Sequence, residues 1–213
     1  MYKLVIFDLD GTLLDTIEDI CDSINIALKE SNLELVTIEE CKYMVGNGAK
    51  ILVERAIREK TKFFDKVFSS YMFNYERLQK NKTRPYEKIM EVLDRLKELN
   101  IKSAILSNKP HEDTLRVVDY YFGLSKFDLV IGKKPNNRPK PEIDGAIEIL
   151  NTLNMKSEDV LYVGDTSVDI TTAIRSNFTS VGVTWGFRKE SELTQANYII
   201  HHPLDLLRII EEK

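Results

Sequence analysis

Cysteine is scarce in this chain. Only Cys21 and Cys41 occur among 213 residues, with no C-x-x-C spacing and no neighbouring ligand cluster. That pattern argues against a disulfide framework or a thiolate metal site and reads as two small buried side chains. Histidine is nearly as rare, and His111, His201 and His202 show no ligand spacing with the acidic residues, so none is given a role. Long hydrophobic runs are missing as well: no stretch approaches the roughly 20 apolar residues that span a bilayer. The apolar N-terminal run Met1–Phe7 is too short for a signal peptide and meets Asp8 and Asp10 at once. A cytoplasmic protein that does not engage membranes is expected. No sign of charge dominates either. Thirty Lys and Arg against 34 Asp and Glu give a net charge of -4, too mild for an acidic tail and without the basic face of a nucleic-acid-binding protein.

What remains is the composition of an ordinary globular protein, 43% hydrophobic and 30% charged, long enough for one large core and a smaller accessory unit. Short β-rich runs at Lys3–Asp8, Lys102–Ser107, Leu129–Gly132, Val160–Gly164, Thr179–Val183 and Tyr198–Ile200 read as strands. Helical patterns fall between and after them, at Tyr86–Leu99, Glu112–Tyr121, Glu142–Leu153, Val168–Arg175 and Pro203–Glu211. Buried strands alternating with helices predict a parallel sheet covered on both faces, an α/β fold. Ligands then bind beyond the carboxyl ends of the strands.

The alternation breaks between Thr16 and Lys82, where only helical patterns occur: Ile17–Glu30, Ile38–Val45, Ala49–Lys60 and Asp65–Gln79. The expected organisation is a core of residues 1–15 and 84–213, with residues 16–83 inserted as a compact helical unit after the first strand. The polar, basic stretch Gln79–Pro85 reads as its exit. The stripe Phe63, Phe64, Phe68, Tyr71, Met72, Tyr75 has helical spacing and reads as the interior of that unit. Trp185 is expected to pack over the end of the sheet.

At the tip of the first strand stands Asp8-Leu9-Asp10-Gly11-Thr12-Leu13-Leu14-Asp15. Two carboxylates with one residue between them, where a strand opens into a glycine turn, can address one site, one attacking while the other manages a proton. The backbone amides from Gly11 onward are expected to form a nest for an anion. A bare D-x-D could be a polar turn with Asp15 capping the next helix; the strand context and the full octapeptide favour chemistry.

The octapeptide resembles the first motif of the haloacid dehalogenase (HAD) superfamily, in its phosphatase form. The resemblance implies a Rossmann-like core, an aspartyl-phosphate intermediate and Mg²⁺, and it asks for three later motifs. Ser107, with Asn108 beside it, stands at the end of the second core strand and supplies a hydroxyl for a phosphoryl oxygen. Lys140, between Pro139 and Pro141, offers an ammonium to neutralise nucleophile and phosphoryl group. Asp165 suits a Mg²⁺ ligand, since Mg²⁺ takes few carboxylates and keeps several waters, and Asp169 follows one helical turn later in a supporting role. Each could be turn or cap chemistry alone; all four arrive in order at strand ends.

The resemblance implies Asp8 as nucleophile, Asp10 as acid and base, Lys140 as the charge-neutralising cation, and Mg²⁺ on Asp8, Asp165 and the Asp10 carbonyl. Gly11, Thr12, Ser107 and Asn108 are the phosphate-side candidates. Asp10 points to phosphate esters rather than to dehalogenation or phosphonate cleavage. The helical insertion resembles the smaller, C1-type cap, which favours a small phosphorylated metabolite. Within it, Tyr43–Lys50 followed by Val53-Glu54-Arg55-Ala56 resembles phosphoglycolate phosphatases, and in the core Gly182–Gly186 resembles them too. Gly48 and Lys50 are therefore candidate contacts for a substrate carboxylate. Pyrophosphatases, sugar-phosphate phosphatases and phosphomutases share the core motifs and stay open, as does a non-catalytic binding protein, although no essential group is lost.

Overall fold

The computed structural model describes residues 2–212. In chain order the elements are β1 (Leu4–Phe7), β2 (Leu14–Asp15), α1 (Ile17–Glu30), α2 (Ile38–Met44), α3 (Ala49–Ala56), α4 (Phe64–Leu78), β3 (Arg84–Pro85) and α5 (Ile89–Glu98). There follow β4 (Lys102–Pro110), α6 (His111–Phe122), β5 (Leu129–Lys133), α7 (Asp144–Leu153), β6 (Val160–Gly164), α8 (Ser167–Arg175), β7 (Thr179–Val183), β8 (Tyr198–Ile200) and α9 (Asp205–Glu211). No helix among the described residues is long and apolar enough to cross a membrane.

Six strands form one parallel sheet in the order β5-β4-β1-β6-β7-β8. The two-residue side-chain period of a strand sorts β1 between two cores. Val5 and Phe7 pack with Val92, Leu96, Val117 and Leu206 from α5, α6 and α9. Leu4 and Ile6 pack on the other face with Ala146, Ile149 and Ala173 from α7 and α8. Both faces are thus covered and the strands read as continuous apolar runs. The chain winds outward from β1 first through β4 and β5, then returns to β6, so the strand order reverses around β1. Crevices at the carboxyl ends of such reversals are where open α/β sheets bind ligands.

Helices α1 to α4 enclose a separate apolar interior. Ile17, Ile20, Cys21, Ile24, Ala27 and Leu28 repeat along one face of α1 and meet Val67, Tyr71 and Tyr75 of α4, with Leu52, Val53 and Ala56 of α3 filling between. Cys21 and Cys41 are both free and buried in it, as expected from their spacing. Thr37 caps α2 in a reciprocal capping box with Glu40.

Two features of the connection escaped the sequence patterns. The outgoing and returning chains pair as a two-stranded antiparallel ribbon, Leu14 opposite Pro85 and Asp15 opposite Arg84, with an Arg84–Asp15 ion pair at 3.2 Å. Asp15 is therefore a ribbon residue, and Thr16 occupies the N-cap position of α1. Buried Asp19 then accepts the backbone N–H groups of Lys82 (3.0 Å) and Thr83 (2.8 Å), satisfying amides the short ribbon leaves unpaired.

Element ends moved where local backbone intervened. Helix α3 stops at Ala56 rather than Lys60, with Arg58 in the left-handed region. Strand β4 runs on to Pro110, but its register against β5 shifts between Leu106 and Pro110. Ser107, Asn108 and Lys109 fall in that irregularity, a device that re-aims side chains at a sheet's end.

Candidate active site

Three strand tips meet at the reversal point: Asp8 after β1, the irregular end of β4, and Asp165 after β6. Gly11 makes the first turn possible. Its φ is +91°, and a Cβ there would stand 2.4 Å from an oxygen of Asp165, so only glycine fits. Gly186 closes the other side, where a Cβ would lie 2.3 Å from that of Asp165 and 2.4 Å from the Gly11 carbonyl oxygen.

A chain of buried charges runs through the site. Lys140 Nζ stands 2.7 Å from Asp8 Oδ1 and 2.7 Å from Asp169 Oδ1. Asp169 Oδ2 accepts from Thr166 Oγ1 at 2.7 Å and Thr166 N at 3.1 Å, a capping box at the start of α8. Asp169 thus both holds Lys140 and caps its helix. Asp165 accepts from Thr12 Oγ1 at 3.3 Å and Phe187 N at 2.8 Å. Burial pushes Asp8 up to about 7, against the pull of Lys140 and with help from Asp169 and Asp10. Burial likewise raises Asp165 well above the usual carboxylate range, reinforced by Asp169 and Asp8. Burial works against the charge of Lys140, but Asp169 and Asp8 outweigh it and raise its affinity for the proton.

Asp8, Asp165 and Asp169 each bring an oxygen within 4.8 Å of the others. With every carboxyl ionised, Asp10 and these three set against Lys109 and Lys140 would leave a formal charge of four minus two, that is two negative charges. One Asp10 oxygen is buried with no hydrogen-bond partner among the described residues, and Asp165 takes its hydrogen bonds from neutral donors, Thr12 and Phe187. A divalent cation fits this donor set in charge and in hard oxygen chemistry.

Other candidates are placed differently from expectation. The amides from Gly11 to Leu14 form no anion nest: Gly11 N donates to Leu14 O, while Thr12, Leu13 and Leu14 donate to Leu9 O. The tight turn consumes them. Thr12 is fully buried and its hydroxyl serves Asp165. Asn108 is committed to architecture, accepting from Lys140 N at 2.7 Å and donating at 3.0 Å to Lys140 O and to Gly46 O of the helical insertion. Ser107 and Gly48 line the cavity beside Asp8 and Asp10. Lys50 is exposed and does not. Trp185 lies over the sheet end as expected, donating to Thr12 O at 3.1 Å.

That cavity, of about 60 Å³, opens between the strand tips and the insertion, which contributes Ile20, Val45, Leu52, Tyr71, Met72 and Tyr75. Part of the aromatic stripe of α4 therefore faces the site as well as the insertion's interior. Two residues there had no sequence motif. Lys109 is buried, 3.0 Å from Asp10 Oδ2 and 2.6 Å from the Tyr75 hydroxyl. Its only sequence signal is position, directly after Ser107-Asn108; that of Tyr75 is a hydroxyl on an otherwise apolar stripe. Arg188 reaches from beyond β7 to the carbonyls of Tyr43 and Val45, each at 3.1 Å, and ties the insertion to the sheet.

Fold and site together define a doubly wound α/β protein with a buried, lysine-braced acidic site at its switch point. Residues 5–183 match the family described as haloacid dehalogenase-like hydrolase, and the chain belongs to that family. It is similar to a phosphoglycolate phosphatase of Aquifex aeolicus, 28% identical over 98% of this chain and 97% of the relative. A protein of Caldanaerobacter subterraneus named as a candidate pyrophosphatase is 30% identical over 97% and 94%. Among solved structures, one from Lactobacillus delbrueckii subsp. bulgaricus, described as a candidate phosphoglycolate phosphatase, superposes with a TM-score of 0.93 at 28% identity and covers 98% of both chains.

Proposed function

We propose that this chain is a Mg²⁺-dependent phosphomonoesterase acting on 2-phosphoglycolate through an Asp8 phosphoryl intermediate. The observation that carries the reading is the pairing at the switch point: Asp8, held by Lys140 at 2.7 Å, shares one cavity with Asp10 and Ser107. An Asp8 oxygen attacks phosphorus and the P–O ester bond breaks. The departing alkoxide takes a proton from Asp10. Asp10 then removes a proton from water, whose oxygen attacks the acyl phosphate; the bond from phosphorus to Asp8 breaks and inorganic phosphate leaves. Lys140 and Ser107 steady the negative charge gathered on the phosphoryl oxygens. A divalent cation held by Asp8, Asp165 and the Asp10 carbonyl would supply further charge neutralisation and orientation. Asp169 keeps Lys140 in place, and Asn108 fixes the loop that carries it.

Residues 16–83 act in this reading as a cap on a core of residues 1–15 and 84–213, with the β2–β3 ribbon as the joint. Closing it excludes water from the phosphoryl site. The cap's apolar wall suits a small metabolite. The substrate rests on the names of the relatives together with the Tyr43–Lys50 resemblance.

Phosphate release from 2-phosphoglycolate, pyrophosphate, hexose phosphates and nucleotides, with Mg²⁺ and with EDTA, tests it. Expected is Mg²⁺-dependent turnover with kcat/KM highest for 2-phosphoglycolate. Highest activity on pyrophosphate would favour the reading suggested by the Caldanaerobacter relative, and no activity on any of them would sink the enzyme mechanism.

A further inference from the structure

Lys109 is the one cation among the described residues lining the cavity, whose remaining charged members are Asp8, Asp10 and Asp113. An ammonium has three N–H donors. Two are directed at Asp10 Oδ2 (3.0 Å) and at the Tyr75 hydroxyl (2.6 Å), and the Tyr75 ring lies 4.6 Å from the nitrogen. Its side chain is only 5% exposed, so its position is set from two sides, by the sheet and by α4. The Ser107 hydroxyl accepts its backbone N–H at 3.2 Å, which joins the residue to the phosphate-side end of β4.

We infer that Lys109 is the specificity-determining residue, taking an anionic group that sits next to the scissile ester oxygen of the substrate. The inference rests on the phosphatase reading above, in which Asp10 faces that ester oxygen. In 2-phosphoglycolate one methylene separates the ester oxygen from the carboxylate, so their oxygens lie roughly 3 Å apart at ordinary bond lengths. That is the spacing between Asp10 Oδ2 and Lys109 Nζ, 3.0 Å. A substrate with its ester oxygen on Asp10 therefore delivers its carboxylate to the third donor of Lys109. The surrounding wall of Ile20, Leu52 and Met72 gives a hydroxyl or sugar ring little to bond and leaves a charge pair poorly screened. Pyrophosphate also carries an anionic group beside the bridging oxygen, whereas a hexose phosphate or 2-hydroxyethyl phosphate has none. Lys50, the cation first suggested for the carboxylate by the sequence, lies outside the cavity.

The test compares kcat/KM for 2-phosphoglycolate, pyrophosphate and 2-hydroxyethyl phosphate in wild type and Lys109→Met, with Mg²⁺ present. Loss of the Asp10 contact lowers all three together, so the ratio between substrates isolates recognition. Wild type is expected to favour 2-phosphoglycolate over 2-hydroxyethyl phosphate by about 100-fold, and Lys109→Met to erase most of that preference, chiefly through KM. A larger selective loss on pyrophosphate than on 2-phosphoglycolate identifies phosphate rather than carboxylate as the anion Lys109 reads. Lys109→Gln keeps a donor to Asp10 and Tyr75 and supplies the same ratio if the methionine variant does not fold. A variant that stays folded and keeps the wild-type preference overturns the assignment of Lys109 while leaving the substrate intact. A wild type that hydrolyses 2-hydroxyethyl phosphate as well as both anionic substrates overturns both.

Discussion

The sheet and the helical insertion treat charge in opposite ways. At the strand tips, Asp8, Lys140, Asp165 and Asp169 are all buried and bonded to one another or to backbone. Inside the insertion the packed cluster is apolar, its one buried charge among the described residues is Asp19, bonded to backbone amides, and its ion pairs, such as Lys42–Glu39 and Arg58–Glu34, stay exposed. Exposed pairs contribute little to stability. Buried ones cost desolvation and persist only with many partners. An array of buried charge therefore sits at the carboxyl ends of the strands, while the apolar wall above it supplies shape. Lys109 with Tyr75 and Asn108 with Gly46 are two places where the wall touches the site.

Four measurements bear on this contrast. The largest effect is expected at the centre of the array. Asp8→Asn should lower turnover by about 10⁴-fold or more while circular dichroism stays native; residual turnover within tenfold of wild type would remove Asp8 as nucleophile. The second asks what the same burial does to the unloaded fold. Burial raises Asp8 from 3.8 to about 7 in the folded chain, so the folded state holds that proton more tightly than the unfolded one. Its contribution is full below about pH 4 and is lost as pH rises through about 7. In EDTA, Asp8→Asn should therefore gain on wild type by up to a few kcal/mol between about pH 5 and pH 8. Urea melts at the two pH values read the gap directly, and a constant gap would contradict the strained array.

The Arg188 tie between the two regions should respond more gently. Arg188→Ala removes the contacts to the Tyr43 and Val45 carbonyls and should raise KM about 3- to 10-fold with kcat changed less than twofold. An equal fall in kcat would mean the tie also sets the array's geometry. The smallest effect belongs to the outer face of the insertion. Lys50→Ala should shift kcat/KM by less than about twofold, and a larger drop would return Lys50 to the substrate side of the cavity.

Much of the sheet was legible because buried parallel strands and their helices leave two distinct periodicities in the residues. The six sheet strands fall within a few residues of where the apolar runs end, and the acidic residues stand at their tips. Errors cluster where backbone geometry overrides pattern. Two residues per strand are too few for the β2–β3 ribbon to show a period. The irregularity in β4 hides beneath an ordinary apolar-to-polar boundary. The glycine turn was read as open to an anion, whereas its amides close on Leu9 and Leu14; a motif shows which residues turn, not where each N–H points. Asn108 shows the same limit, since its partners Gly46 and Lys140 lie 62 and 32 residues away.

The sequence by itself determined the layered α/β fold, the helical insertion between its first two core strands, and which acidic residues stand at the carboxyl ends. These follow from side-chain period, turn chemistry and order along the chain, all local properties. The tertiary structure alone decided that Lys140 bridges Asp8 and Asp169, that Lys109 rather than Lys50 enters the cavity, and that Tyr75 reaches across to hold it. Those choices depend on which groups meet where the strand order reverses around β1. A cation's partner in a buried site is set by desolvation and distance in three dimensions, and neither is written in the spacing of residues.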